Sequence, residues 1–196
     1  MIVQPDLPII LASASPRRKE LLEQLGLNFK IVPAHINETI LPNEMPLEHV
    51  RRLAEEKGRA IADLYPEHFV ISADTIVVYH GGILGKPVDK TDAYNMLRLL
   101  SGNTHEVMTA FSILCGSRKI LMTEDEVTEV RFRDLSDEDI HEYIEGGSPM
   151  DKAGAYGIQD ISANLVRSIS GCFYNVIGFP ISHFAILWNE IVRRET

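Results

Sequence analysis

The apolar run Ile9-Ile10-Leu11-Ala12 gives way to a small polar turn, Ser13-Ala14-Ser15, and then to Leu21, Leu22 and Leu25 at helical spacing. That pattern predicts a short buried strand, a tight turn and a helix. Ser15 suits the N-cap, Pro16 the first helical position, and Gly26 the stop. Phe29–Val32 reads as a strand, and a helix is expected from about Leu47 to Ala62. The run from Phe69 to Tyr79 is β-rich but broken mid-way by Ser72, Asp74 and Thr75, with Gly81-Gly82 turning it into a hairpin with Ile83-Leu84. Thr91 is the expected cap of a helix carrying Ala93, Met96, Leu97 and Leu100, with Gly102 just past its end. Strands follow at Val107–Leu114 and about Glu126–Arg133. Ser136 with Asp139 resembles a capping box opening a helix to about Glu145, stopped by Gly146-Gly147. Pro180 starts a terminal helix with Phe184, Leu187, Trp188 and Ile191. Hairpins mixed with helical crossovers predict an α/β domain with a mixed sheet over residues 1–196.

Charge breaks this pattern in one place. Arg17, Arg18 and Lys19 fall in the first turn of the first helix, at the positive end of its macrodipole. Each charge there costs several tenths of a kcal/mol. An anion docked at that end reverses the sign of each term, because free N–H groups, dipole and arginines all point at it. A violated local rule of this kind marks a functional site, and the chemistry indicates phosphate.

Composition adds bounds. The chain has 196 residues, a net charge of −9 and 24% charged residues. Acidity spread along the chain argues against a nonspecific nucleic-acid binder. No apolar run approaches a membrane span, and the N-terminal residues lack a signal-peptide layout. Two distant cysteines without a CxxC spacing read as reduced core thiols, which points to the cytoplasm.

Several polar residues stand out within apolar patterns. Val50, Leu53, Ala54, Lys57 and Ile61 share one helical stripe, while Glu48, Arg51, Arg52, Glu55 and Glu56 mostly fall elsewhere. Lys57 is therefore either a packed stem with a snorkelling amine or an ammonium held to contact phosphate. Asp74 inside a Val/Ile/Phe run is expensive to bury without a partner or a cation. It faces solvent at a sheet end, or it is a general base or metal ligand. Lys86, between Gly85 and Pro87, sits in a tight turn. Gln159, in the Gly-rich stretch Ala153–Asp160, offers the amide donor and acceptor that read a base edge, or is simply solvated. There is no P-loop, Gly-x-Gly-x-x-Gly, His-Glu-x-x-His or Gly-x-Ser-x-Gly pattern. The seven histidines lack zinc-ligand spacing. Hard oxygen ligands favour Mg²⁺ or Mn²⁺ accompanying a phosphate.

Leu11-Ala12-Ser13-Ala14-Ser15-Pro16-Arg17-Arg18, Glu56-Lys57, Ser72-Ala73-Asp74-Thr75, Gly85-Lys86-Pro87, Leu100-Ser101-Gly102, Asp151 through Gln159 and Asn175 through Pro180 run in one order along nearly the whole chain. Together they resemble the Maf (septum-formation inhibitor) family of nucleoside triphosphate pyrophosphatases. The resemblance implies an elongated mixed sheet flanked by helices, in two lobes with a central cleft, of the Maf/ITPase type. It implies cleavage between the α and β phosphates, a divalent cation and a homodimer. Asp74 falls on the family's catalytic base, and Arg17, Thr75 and Gln159 on its substrate-discriminating positions. The loop Ala-Gly-Ala-Tyr-Gly-Ile-Gln is similar to the branch preferring dTTP and UTP rather than 7-methyl-GTP. The chain departs from the pattern at His35-Ile36-Asn37-Glu38, where only Glu38 is acidic, and at Asp160, where glycine is usual.

The expected assignment follows. Arg17, Lys57 and Lys86 neutralise the triphosphate, Ser13 and Ser15 hold phosphate oxygens with the helix end, and Arg18 supports. Asp74 activates water, and Glu38 with Asp74 holds the metal. A regulator of cell division that binds nucleotide without turnover is the alternative. A lone carboxylate beside a polyphosphate, useless to a pure binder, argues for the enzyme.

Overall fold

The computed structural model describes residues 1–146, 149–159 and 164–195. In these, apolar strand patterns and capped helices build one seven-stranded sheet flanked by six helices. The strands are β1 (Ile9–Leu11), β2 (Phe29–Ile31), β3 (Phe69–Tyr79), β4 (Gly82–Leu84), β5 (Thr104–Cys115), β6 (Ile120–Phe132) and β7 (Val166–Ser170). The helices are α1 (Pro16–Gln24), α2 (Pro46–Ala62), α3 (Lys90–Leu100), α4 (Asp137–Gly146), α5 (Phe173–Ile177) and α6 (Ile181–Glu195).

The strand order is β2-β1-β3-β5-β6-β7, with β4 paired to β3. β1 runs parallel to β2 and β3, whereas β3/β4 and β6/β7 are antiparallel, so the sheet is mixed. β3 lies inside the sheet and is buried along nearly all of its length. That burial explains why its apolar residues stand in unbroken runs, Phe69–Ile71 and Ile76–Val78, rather than alternating with polar ones.

Two compact units arise from this chain. The first comprises 1–74, 109–126 and 178–196; the second comprises 75–108 and 127–177. β3, β5 and β6 each run from one unit into the other.

In the first unit, Ile10, Ala12, Val70, Leu114, Ile61 and Ala62 form a buried cluster that fastens α2 to the sheet. Trp188 of α6 stacks on Phe184, meets Phe69 edge-on, and donates its indole N–H to the Val3 carbonyl at 2.9 Å. In the second unit, His105, Phe132 and Tyr156 make an edge-to-face aromatic trio.

Most expected elements form with their expected ends. Ser15 caps α1, accepting from the Arg18 N–H, and Gly26 follows the helix at φ 79°. Ser136 and Asp139 close a reciprocal capping box on α4. Two local assignments shift. Asp89, not Thr91, caps α3, because its carboxylate reaches the Asp92 N–H at 2.8 Å. The β3–β4 turn is made by His80 and Gly81, both at positive φ, while Gly82 already pairs with Tyr79. β7 and α5 are additional elements. Gly147 and Asp160 lie outside the described residues.

Candidate active site

Period-2 alternation along β3 puts Val70, Ser72 and Asp74 on one face, the face that α2 covers. The Ser72 hydroxyl donates to the Ala54 carbonyl of α2 at 2.7 Å, fully buried. Close approach of helix and strand depends on Gly58. A Cβ there would lie 2.3 Å from Leu114 Cδ1 and 2.6 Å from Ser72 Oγ.

This approach delivers Lys57 to Asp74. The Lys57 Nζ donates to Asp74 Oδ1 at 2.7 Å and lies 2.8 Å from Glu38 Oε1. The Lys57 and Asp74 side chains are each 11% exposed, whereas that of Glu38 is 57% exposed. Asp74 therefore does not face solvent at a sheet end. It is buried and paired, as the cost of an isolated buried carboxylate requires.

The turn before α1 joins the same cluster through Arg18. Its Nε donates to the Gly178 carbonyl at 3.0 Å, and its Nη1 to the Ala73 carbonyl at 2.9 Å and Ser13 Oγ at 3.2 Å. One guanidinium thus ties the Ser13 turn to the backbone immediately before Asp74. Burial lowers the pKa of Arg18, and the Asp74 and Glu38 carboxylates nearby oppose that shift. Ser13 Oγ also accepts from the Ser15 N–H at 3.2 Å. Two donors therefore converge on that oxygen. α1 has no acidic residue in its first turn, so the basic helix start is not neutralised from within its own first turn. Arg17 is partly exposed there.

Ser13, Ser15, Arg17, Arg18, Glu38, Lys57 and Asp74 all belong to the first unit. Thr75, Lys86 and Gln159 belong to the second. Thr75 follows Asp74 in β3 and is partly buried, while Lys86 and Gln159 are exposed in loops. Gly85 and the Gly-rich loop are joined, since the Gly154 N–H donates to the Gly85 carbonyl at 3.0 Å. The loop is fixed from below by Tyr156, whose hydroxyl lies 2.6 Å from His105 Nε2 in a buried pocket.

The family model for Maf-like proteins matches residues 8–191. The chain belongs to the Maf family. Among similar family members, a protein of Geobacter sp. strain M21 named dTTP/UTP pyrophosphatase is 53% identical, over 88% of this chain and 90% of its own. Proteins with the same name from Geobacillus sp. strain WCH70 and Syntrophomonas wolfei are 50% and 46% identical. They cover 89% and 95% of this chain, and 92% and 97% of their own. A Ham1 protein of Staphylococcus aureus shares the fold with a TM-score of 0.54 at 13% identity, covering 96% of this chain and 100% of that one.

In this Maf-family chain the segment from Asn175 to Pro180 has a visible structural use. The Asn175 amide donates to the Val107 carbonyl and to Thr128 Oγ1, each at 2.9 Å. Gly178, at φ 122°, presents the carbonyl that receives Arg18. Sequence reasoning passed over Gly58, whose only signal is a small residue on the packed face next to Lys57. It also passed over Glu44 and Arg52. Arg52 belongs to the charged set that mostly lies off the apolar stripe and resembles an ordinary solvated face.

Proposed function

We propose that the chain, acting as one domain over residues 1–196, hydrolyses dTTP and UTP to the nucleoside monophosphate and pyrophosphate. The observation that carries this reading is the Asp74–Lys57–Glu38 cluster tied through Arg18 to the basic start of α1. A general base, cations and anion-binding N–H groups are the parts that phosphoryl transfer needs, since its catalysis is mostly positioning and electrostatics. The names of the Maf relatives support the choice of dTTP and UTP.

In this reading, Arg17, the Ser13 hydroxyl and the backbone N–H groups at the start of α1 bind phosphate oxygens, with Ser15 shaping the turn. Asp74 accepts the proton of the water that attacks the α-phosphorus. The P–O bond to the β-phosphate breaks, and pyrophosphate carries away the electron pair. Lys57 and Lys86 balance the anionic charge, and Thr75 and Gln159 discriminate among nucleotides. Arg18 holds the backbone of Ser13 and Asp74 in place.

A divalent cation, Mg²⁺ or Mn²⁺, belongs to this reading. Asp74 and Glu38 would hold it, because both are hard oxygen donors already gathered on a single cationic group. Two carboxylates completed by water and phosphate oxygens form a set that Mg²⁺ accepts. When bound, such a cation screens phosphate charge and acidifies water. The resemblance also supports a homodimer, and the two free cysteines support a cytoplasmic protein. Among the described residues no helix is long and apolar enough to cross a membrane.

A panel of canonical and modified nucleoside triphosphates with Mg²⁺, assayed for pyrophosphate, tests the proposal. dTTP and UTP are expected to yield equimolar monophosphate and pyrophosphate. Release of inorganic phosphate with a nucleoside diphosphate, or binding without turnover, overturns it.

A further inference from the structure

Glu38 reaches Lys57 on a segment without regular secondary structure, between β2 and α2. Val32 and Ala34 pack its start against the core, but apolar burial does not hold the stretch after Glu38: Ile40 and Leu41 are each 49% exposed and Met45 is 63% exposed. A surface loop that must present a side chain at one place then needs polar anchors.

Arg52 of α2 supplies them. Its Nη2 donates to the carbonyl of Thr39, the residue after Glu38, at 3.1 Å. The same guanidinium grips Glu44 with both forks, Nε to Oε1 at 2.5 Å and Nη2 to Oε2 at 2.9 Å. Glu44 in turn accepts from the Leu41 N–H at 3.0 Å and lies 2.9 Å from His49 Nδ1. Only 7% of the Glu44 side chain and 21% of the Arg52 side chain are exposed, so this is a desolvated bidentate pair of the strong kind. Arg52 accordingly holds the Glu44 carboxyl well below the usual carboxylate range. On the other flank, Asn37 Oδ1 accepts from the Thr39 N–H at 3.0 Å and from its hydroxyl at 2.6 Å. Glu38 therefore sits between a side-chain-closed turn and an arginine-bound carbonyl. The helix that fixes this loop also carries Lys57, so one rigid element sets both partners of the Glu38–Lys57 contact.

We propose that Arg52, clamped by Glu44, is a positioning residue for the reaction: it seats Glu38 opposite Lys57 without touching substrate. This rests on the reading that Glu38 belongs to the site. A double-mutant cycle between Arg52→Ala and Glu38→Gln tests it, with kcat and KM for dTTP and the thermal midpoint as readouts. Arg52→Ala is expected to lower kcat about 10- to 100-fold, as loss of a supporting shell does, with KM changed less than about twofold. Arg52→Lys is expected not to rescue it, because an ammonium cannot fork Glu44 and hold Thr39 together. In the Glu38→Gln background the same Arg52→Ala change is expected to cost less than about twofold in kcat, while its shift in thermal midpoint is the same in both backgrounds. Equal loss of kcat in both backgrounds, or no loss in either, overturns the proposal. If Arg52→Ala does not fold, Glu44→Gln replaces it in the cycle with the same expectations. Wild-type turnover by Glu38→Gln alone instead refutes the assignment of Glu38 to the site, and the positioning role falls with it.

Discussion

Lys57 Nζ donates to Asp74 Oδ1 at 2.7 Å, so an amine on α2 and a carboxylate inside β3 share one largely buried ion pair. Removing one partner of such a pair leaves an uncompensated charge, whereas removing both does not. Lys57→Met is expected to destabilise the protein by about 1–3 kcal/mol. Adding Asp74→Asn to it is expected to recover most of that loss in denaturant unfolding. Neither single variant nor the double is expected to turn over dTTP. Recovery of activity in the double variant would contradict the roles assigned to both residues.

Arg17 separates affinity from stability. It sits on the first turn of α1, partly exposed, at the end of the helix that favours anions. Arg17→Ala is expected to weaken triphosphate binding about 10- to 100-fold, the loss of a charge-assisted contact. Unfolding free energy should change by less than about 0.5 kcal/mol. Isothermal titration of a non-hydrolysable dTTP analogue measures the first, and urea denaturation the second.

Gly58 tests the close approach of α2 to β3. A Cβ at that position meets Leu114 Cδ1 at 2.3 Å and Ser72 Oγ at 2.6 Å. Gly58→Ala is therefore expected to cost about 1–3 kcal/mol by overpacking, despite the better helix propensity of alanine. Because α2 carries Lys57, kcat should fall as well. A variant as stable and active as the parent would show that the helix need not lie so close.

His105 sets a pH dependence of stability. Its Nε2 lies 2.6 Å from the Tyr156 hydroxyl, and its Nδ1 has no partner among the described residues. Burial pushes its pKa down to about 4 from 6.5. Above pH 6.5 both folded and unfolded forms are neutral, and the group contributes no pH dependence. As pH falls from about 6.5 to 4, the unfolded chain binds a proton that the folded one refuses, so stability drops. The stability advantage of the wild type over His105→Gln is expected to shrink by about 3 kcal/mol between pH 7 and pH 4. A difference that stays constant over this window would contradict the buried, neutral imidazole.

The legibility of the site followed from how far each residue departs from its local pattern. Asp74 interrupts an apolar strand and Lys57 an apolar stripe, so both are visible in a bare sequence, as are the arginines at the wrong end of α1. β3 is legible from end to end because burial on both faces lets apolar runs stand on either side of Ser72–Thr75. Arg52 and Glu44 are not, since a charged residue on an amphipathic helix matches its solvated face, and one in the polar loop before it matches that loop, until the fold shows what they grip. The α3 cap was misplaced because Asp89 and Thr91 are both capable caps two positions apart, and only geometry decides between them. The hairpin shifted by one residue for a similar reason: His80 takes the positive φ that the glycine pair had suggested for Gly81 and Gly82.

Attack of water at the α-phosphorus, with Asp74 as the base, is the central claim. Hydrolysis of dTTP in ¹⁸O-labelled water, followed by mass spectrometry of both products, tests it most directly. The expected result is one labelled oxygen in dTMP, unlabelled pyrophosphate, and loss of both products in Asp74→Asn. Label in the pyrophosphate, or undiminished label in dTMP from Asp74→Asn, would contradict it.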